Sequence, residues 1–355
     1  MSRRVAVITF HYVQNYGAVL QAYALCRVLR DMGVEVRLIN YRPETLWGWL
    51  RGFGRRPSSI LWSLVRRYRY ARFGREWLPL TDRVWRTAEA LRREPPEADA
   101  YICGSDQIWN CRILRGLDES YFLGFVPEGS RRVAYAGSFG AMPVPAVHRD
   151  RAGELFRRFD RLSAREHFAV DEIASLCGRE AVRVLDPSLL LSAADYATVA
   201  REPRKSGPYV AVYAMERTEA FERFAERLSR LLGLPAVSVY GWREGSRTAG
   251  PREWLGWMRK AAFICTNSFH GTAFSLIHRK PFAVLRLKRA PQNRLDDLLE
   301  PLGLAHRMVA SPDELSVHSA VLNPIDYAAV TPHLDAAVAR SRAYLQEAVF
   351  SDDKG

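Results

Sequence analysis

Ala261–Phe282 reads AAFICTNSFHGTAFSLIHRKPF, and it decides how the rest of the chain is interpreted. Phe263, Ile264 and Cys265 form an apolar run too short for a helix and rich enough in strand formers for a buried strand, ending at the polar Thr266-Asn267-Ser268. From Gly271 the apolar positions Ala273, Phe274 and Ile277 fall on one helical face, and Pro281 cannot continue that helix. Strand, short polar loop and helix form the repeating unit of a parallel α/β sheet, whose ligands bind outside the carboxyl ends of the strands. His270 is therefore expected at a site. A helix opening near Gly271 also presents unpaired N–H groups that favour phosphate or carboxylate, and glycine there permits close approach. The competing reading is architectural: Asn267 or Ser268 caps the helix, and His270 is a hydrogen-bonded structural residue.

Outward from this stretch, 355 residues at 48% hydrophobic and 26% charged describe a globular protein, with two domains of roughly 150–200 residues each. No apolar run reaches the length of a membrane span, and the N-terminus runs straight into a strand, so a cytoplasmic location is expected. Cys26, Cys103, Cys111, Cys177 and Cys265 lack CxxC spacing. Neither a disulfide framework nor a metal site is indicated, and turnover without a divalent metal is expected. The formal charge of +13 is carried mostly by arginine and fits nucleic acid, an anionic membrane surface or an anionic small substrate. No RNP, helix-turn-helix or zinc-finger pattern is present, so no nucleic-acid partner is expected.

In chain order, Val5–Phe10 reads as a strand, His11–Gly17 as a loop, Ala18–Met32 as a helix stopped by Gly33, and Val34–Ile39 as a second strand. This is a Rossmann-type opening without G-x-G-x-x-G, which argues against a dinucleotide. His11, Asn15, Gly17 and Gln21 line its mouth, although Asn15-Tyr16-Gly17 equally reads as a turn and helix cap. Arg51–Arg75 carries eight arginines and no acid, with an apolar stripe at Ile60, Leu61, Leu64, Val65 and Tyr68. Either that stripe packs on the core, or the helix lies on the surface and meets anionic lipid or an acidic acceptor.

Strands are expected at Ala100–Cys103, Val133–Ala136 and Val182–Leu185, with Ser105, Asp106 and Gln107 in a binding loop after the first. Arg165, beside Glu166 at a strand end, reads either as an anion clamp or as an ion-paired helix start. Ser192–Pro208 reads as a linker, after which a second βα series begins at Tyr209, and the loop Tyr240–Gly250 is expected to be mobile. The expected domains are residues 1–191 and 208–325. A C-terminal helix within 326–355 is expected to cross back to the first domain. The fold class is α/β, with two Rossmann-like domains facing across a cleft.

FHYVQNYGAVLQAYAL (10–25), ICGSDQIWN (102–110), VAYAGSFG (133–140), LSAREHF (162–168), VLDPSLLL (184–191) and TNSFHGTAFSL (266–276) occur in that order. In this combination the chain resembles the polysaccharide pyruvyl transferase family. The resemblance implies a glycosyltransferase-B type fold, phosphoenolpyruvate as donor and co-substrate without a further cofactor, and a sugar or lipid-linked glycan as acceptor. It implies that His270 is the general acid/base or phosphate donor and that Arg165 holds the donor. Asn267, Ser268, Gly271 and Thr272 would surround the donor phosphate in the second domain. His11, Asn15, Gly17, Gln21, Ser105, Asp106 and Gln107 would line the acceptor side in the first. Family members with established pyruvyl transfer often carry arginine two residues before the histidine, where this chain has Ser268. The alternatives are a nucleotide-sugar glycosyltransferase of the same fold and a non-enzymatic anion-binding protein at the membrane surface.

Overall fold

The computed structural model describes residues 3–43, 57–140, 142–239, 248–287 and 293–351. The chain forms two compact units. The first draws on Met1–Gly52, Gly74–Leu190 and Ala336–Gly355, and the second on Phe53–Phe73 and Leu191–Asp335.

The first unit is built on a parallel sheet of five strands: β1 (Arg4–Ile8), β2 (Glu35–Tyr41), β3 (Leu80–Trp85), β4 (Ala100–Cys103) and β5 (Arg131–Ala134), in the spatial order β3-β2-β1-β4-β5. Val5–Ile8 is buried along its whole length, as befits an inner strand covered on both faces. After β1 the chain turns at Asn15, whose side chain accepts from the Ala18 N–H at 3.2 Å and starts helix α1 (Tyr16–Asp31). Trp109 is fully buried among Phe122, Phe139 and Phe156. Gly137 makes room for it, because a Cβ there would lie 2.4 Å from the indole. A short parallel pair, β6 (Ser163–Ala164) and β7 (Val182–Arg183), continues from this edge through bridges at Val133–Arg161 and Gly137–Ala164.

The second unit has its own parallel sheet: β8 (Val210–Tyr213), β9 (Ala236–Ser238), β10 (Phe263–Thr266), β11 (Phe282–Leu285) and β12 (Met308–Val309), ordered β12-β11-β10-β8-β9. Phe221, Phe224, Ala225 and Leu228 of the helix Glu219–Leu232 pack on this sheet, between the Thr218 cap and Gly233 at φ +63°. In both sheets the strand order reverses beside the first strand of the unit, between β1 and β4 and between β8 and β10. Doubly wound sheets bind ligands at such reversals.

Several expectations change. Ser192–Pro208 is not a plain linker: Ser192 and Asp195 form a reciprocal capping box that opens the helix Ala193–Val199, whose Tyr196 and Val199 are buried. Strands β3 and β12 were not foreseen. β3 lies at a sheet edge with Asp82, Arg83 and Val84 exposed, so it lacks a continuous apolar run. In the expected mobile loop Tyr240–Gly250, residues 240–247 lie outside the described residues, as do 51–56 of the arginine-rich segment. The last helix, Tyr327–Phe350, has residues in both units. In the second unit Tyr327 Oη donates to the Lys280 carbonyl at 2.7 Å; in the first, Tyr344 Oη donates to the Ala134 carbonyl at 3.1 Å.

Candidate functional site

In the second unit the site grows from the carboxyl end of β10. Thr266, the last residue of that strand, donates from Oγ1 to the Tyr213 carbonyl on β8 at 2.7 Å and accepts from the Ser268 N–H at 3.0 Å. Asn267 spans the strand-order reversal. Its Oδ1 accepts from the Met215 N–H at 2.7 Å and its Nδ2 donates to the Glu216 carbonyl at 2.6 Å, so the loops after β8 and β10 are held as one surface. Ser268 caps the helix Phe269–Ile277, which begins two residues earlier than the Gly271 expected from sequence. The Gly271 N–H, expected at a phosphate, is directed to Ser268 Oγ at 3.4 Å.

His270 thus lies in the first helical turn, only 7% exposed and with its ring edge-on to Phe269 at 5.3 Å. Gly271 is required for packing. A Cβ there would sit 2.2 Å from Thr266 Oγ1 and 2.9 Å from Tyr213 Cδ1, so the missing side chain lets the helix close against the strands. Thr272 is buried and donates from Oγ1 to the Ser268 carbonyl at 3.0 Å. Asn267, Ser268, His270, Gly271 and Thr272 are therefore brought together in one buried, hydrogen-bonded corner.

In the first unit the carboxyl ends of β1, β4, β5 and β6 hold a buried polar network. Gln21, reaching back from α1, donates from Nε2 to Thr9 Oγ1 at 3.0 Å and to the Phe10 carbonyl at 3.2 Å. Thr9 Oγ1 donates to the Ser105 carbonyl at 2.7 Å, closing the reversal between β1 and β4. Ser105 Oγ donates to Asp186 at 2.9 Å, and Arg165 Nη1 reaches the same carboxylate oxygen at 2.7 Å while its Nε contacts Glu166 at 3.4 Å. Ser188 donates to the other Asp186 oxygen, and Ser138 Oγ donates to Glu166.

The Arg165 side chain is 2% exposed, and those of Glu166 and Asp186 are fully buried. Burial alone lowers the basicity of the guanidinium; the Glu166, Asp186 and Asp106 charges outweigh that and raise it. The geometry therefore matches the ion-paired alternative for Arg165. A guanidinium already neutralised by two carboxylates has little charge left for an incoming anion.

Asp106 adopts φ +77° and bridges to Gly137 at the same strand ends, and its Oδ1 accepts from the Gln107 N–H at 2.9 Å. Non-glycine residues in this region carry backbone strain that clusters at functional sites. Gln107 accepts from Asn110 at 2.8 Å and fills the space that a Cβ on Gly140 would need. Gly17 is buried inside α1, and Asn15 is its cap. His11 is buried; its Nδ1 donates to the Thr9 carbonyl at 3.0 Å, and Nε2 lies 3.4 Å from Asn40 Oδ1. Burial lowers its pKa to about 4, against the Thr9 and Asn40 contacts that raise it, so the ring is neutral at pH 7.

Sequence reading missed Thr9, Ser138 and Asp186 as members of this network, whereas Glu166 was already placed beside Arg165 in the ion-paired reading. The signal was nevertheless present, since LSAREHF and VLDPSLLL are among the motifs that carry the family resemblance, and their polar residues meet at the Arg165–Asp186 contact.

The class defined by fold and site is an α/β protein of two Rossmann-like units, the glycosyltransferase-B type, with polar residues collected at the strand carboxyl ends. The chain belongs to the polysaccharide pyruvyl transferase family, whose model matches residues 15–289, and it is a transferase. Among solved structures it is similar to a protein of Listeria monocytogenes described as a putative UDP-N-acetylglucosamine 2-epimerase, at 11% identity over 100% of this chain and 99% of that one, with a TM-score of 0.52. It is also similar to the UDP-GlcNAc 2-epimerase of Neisseria meningitidis bound to UDP-GlcNAc, at 9% identity over 98% of this chain and 100% of that one, with a TM-score of 0.50. At these identities the likeness concerns the fold. A comparison with curated proteins finds no match.

Proposed function

We propose that this transferase moves the pyruvyl group of phosphoenolpyruvate onto hydroxyls of a sugar in a cell-surface polysaccharide or its precursor. The observation that carries the reading is the family match across residues 15–289, which includes the TNSFHGT corner with its buried histidine at a helix start. Protonation of phosphoenolpyruvate at C3 makes C2 electrophilic. One sugar hydroxyl adds there and gives up its proton; a second displaces phosphate, which carries off that hydroxyl's proton, leaving a cyclic ketal and inorganic phosphate. His270 is assigned the proton transfers. Ser268, Asn267 and the start of this helix are assigned to the donor's anionic groups, and Thr272, whose hydroxyl donates to the Ser268 carbonyl, to holding that turn in place.

Arg165 is assigned a positioning role through Asp186 and Glu166, replacing the direct donor clamp expected from sequence. The acceptor is assigned to the first unit, beside His11, Gln21, Ser105, Asp106 and Gln107. A second reading, a nucleotide-sugar donor, is favoured by Ser268 standing where established pyruvyl transferases often carry arginine. Titration calorimetry separates the two. Saturable binding of phosphoenolpyruvate, weakened in a Ser268 variant, with none of UDP or GDP, supports pyruvyl transfer; the opposite pattern replaces it.

A further inference from the structure

Helix α2 (Pro57–Trp77) matches the surface alternative over its first turns. Within about two turns, Leu61, Trp62, Leu64 and Tyr68 are 60%, 40%, 54% and 57% exposed. They make up four of the eleven large apolar side chains exposed among the described residues, so this is a concentrated patch rather than normal scatter. The helix is anchored further along, where Tyr70 and Phe73 are buried. Its backbone also lies close to the start of the helix Pro251–Lys260, where a Cβ on Gly250 would fall 2.6 Å from Arg69 Cβ. Of the stripe left open between core and surface, Leu61, Leu64 and Tyr68 therefore face outward.

Beside it, within the same unit, a cavity of about 250 Å³ is lined by Val65, Tyr68, Arg69, Arg72 and Phe73 of α2 together with Arg201 and Arg252. Glu253 is the one acidic residue in that lining; it lies 3.6 Å from Arg69 and 3.7 Å from Arg201 and caps the Gly250 N–H at 3.0 Å. Four arginines against one glutamate leave the cavity strongly cationic. Exposed leucine and aromatic rings next to a cationic pocket are the two halves of an interfacial membrane contact: side chains that enter the acyl boundary, and cations that meet phosphate headgroups.

We propose that the outer face of α2, with the arginine-lined cavity at its side, docks the protein on a membrane surface carrying anionic phospholipid. Charge complementarity selects this occupant. Helix α2 holds five arginines against one acid, Glu76, so a second copy of the same face would bring like charges together, whereas an anionic bilayer neutralises them. No helix among the described residues is long and apolar enough to cross a membrane, so the contact is peripheral.

The test is co-sedimentation of the full chain with phosphatidylglycerol–phosphatidylcholine vesicles and with pure phosphatidylcholine vesicles at low salt. Wild type should pellet with the first and remain in solution with the second. The double substitution Arg72→Gln with Arg201→Gln should lower partitioning roughly thirtyfold, about fivefold for each arginine near an anionic surface. Leu61→Ser with Leu64→Ser should lower it at least about tenfold and abolish the vesicle-induced blue shift of fluorescence that Trp62→Phe also removes. All these positions are exposed, so thermal melting should stay at the wild-type value. Equal sedimentation with both vesicle types, or variants that pellet like wild type, would overturn the proposal. So would a concentration-dependent doubling of mass that Leu61→Ser with Leu64→Ser abolishes, because the face would then be a self-association surface.

Discussion

Replacing Gly271 by alanine tests whether the TNSFHGT corner is held by close packing. At an unconstrained helical position this change stabilises by roughly 0.5–1 kcal/mol, because alanine loses less backbone freedom on folding. Here the new methyl would come within 2.2 Å of Thr266 Oγ1, 2.9 Å of Thr266 Cβ and 2.9 Å of Tyr213 Cδ1. Thr266 cannot turn aside cheaply, since its hydroxyl is fixed at 2.7 Å to the Tyr213 carbonyl and at 3.0 Å to the Ser268 N–H at the buried carboxyl end of the inner strand β10. Overpacking of this kind costs about 1–3 kcal/mol. Set against the propensity gain, the net loss is about 1–2 kcal/mol, or a melting temperature lower by roughly 2–8 °C for a unit of this size. Thermal unfolding followed by circular dichroism measures it directly. The clash also predicts a coupling: in the background Thr266→Ala, which removes the opposing hydroxyl, Gly271→Ala should cost at least about 1 kcal/mol less than in wild type. A Gly271→Ala protein that melts at or above wild type would refute the packing argument and return Gly271 to the role of ligand approach.

The remaining expectations concern the two polar corners. His270→Gln should keep the wild-type melting temperature while turnover falls by about 10²–10⁴ and phosphoenolpyruvate affinity barely moves, the pattern for losing a proton carrier; near-normal turnover would end the catalytic assignment. Arg165→Met leaves Asp186 and Glu166 buried without their cation and should cost about 3–5 kcal/mol in denaturant unfolding. Arg165→Met with Asp186→Asn should cost less than the sum of the single changes, and strict additivity would show that the pair is not coupled. His11 has a folded pKa of about 4, below its ordinary 6.5 because of burial, so unfolded chains bind more protons than native ones between those values. Stability is therefore fully present above about pH 6.5 and declines towards pH 4, by up to about 3 kcal/mol from this group. His278, also lowered to about 4 by burial and by Lys280 and Arg259, acts in the same window. His11→Gln should flatten its share of that slope, and an unchanged pH–stability curve would show that His11 is not buried neutral.

What the sequence by itself determined was local and periodic. The apolar runs at Val5–Phe10, Ala100–Cys103, Tyr209–Tyr213 and Phe263–Cys265 mark inner parallel strands, because a strand covered on both faces tolerates no polar alternation. Thr218, Ser268 and Gly233 mark helix ends, because capping is a contact between residues three or four apart. The family motifs likewise held every member of the His270 corner. Only the tertiary structure decided what depends on residues far apart in the chain. Arg165 becomes an internal ion-pair partner because Asp186 and Ser105 converge on it from two other segments. Asn267 becomes a brace because Met215 and Glu216 follow the neighbouring strand. The stripe Leu61–Tyr68 has the same helical spacing whether it faces a core or solvent. Which way it turns was settled by the burial of Tyr70 and Phe73 and by the close approach of Gly250, because periodicity shows that a helix has two faces and packing chooses which is covered.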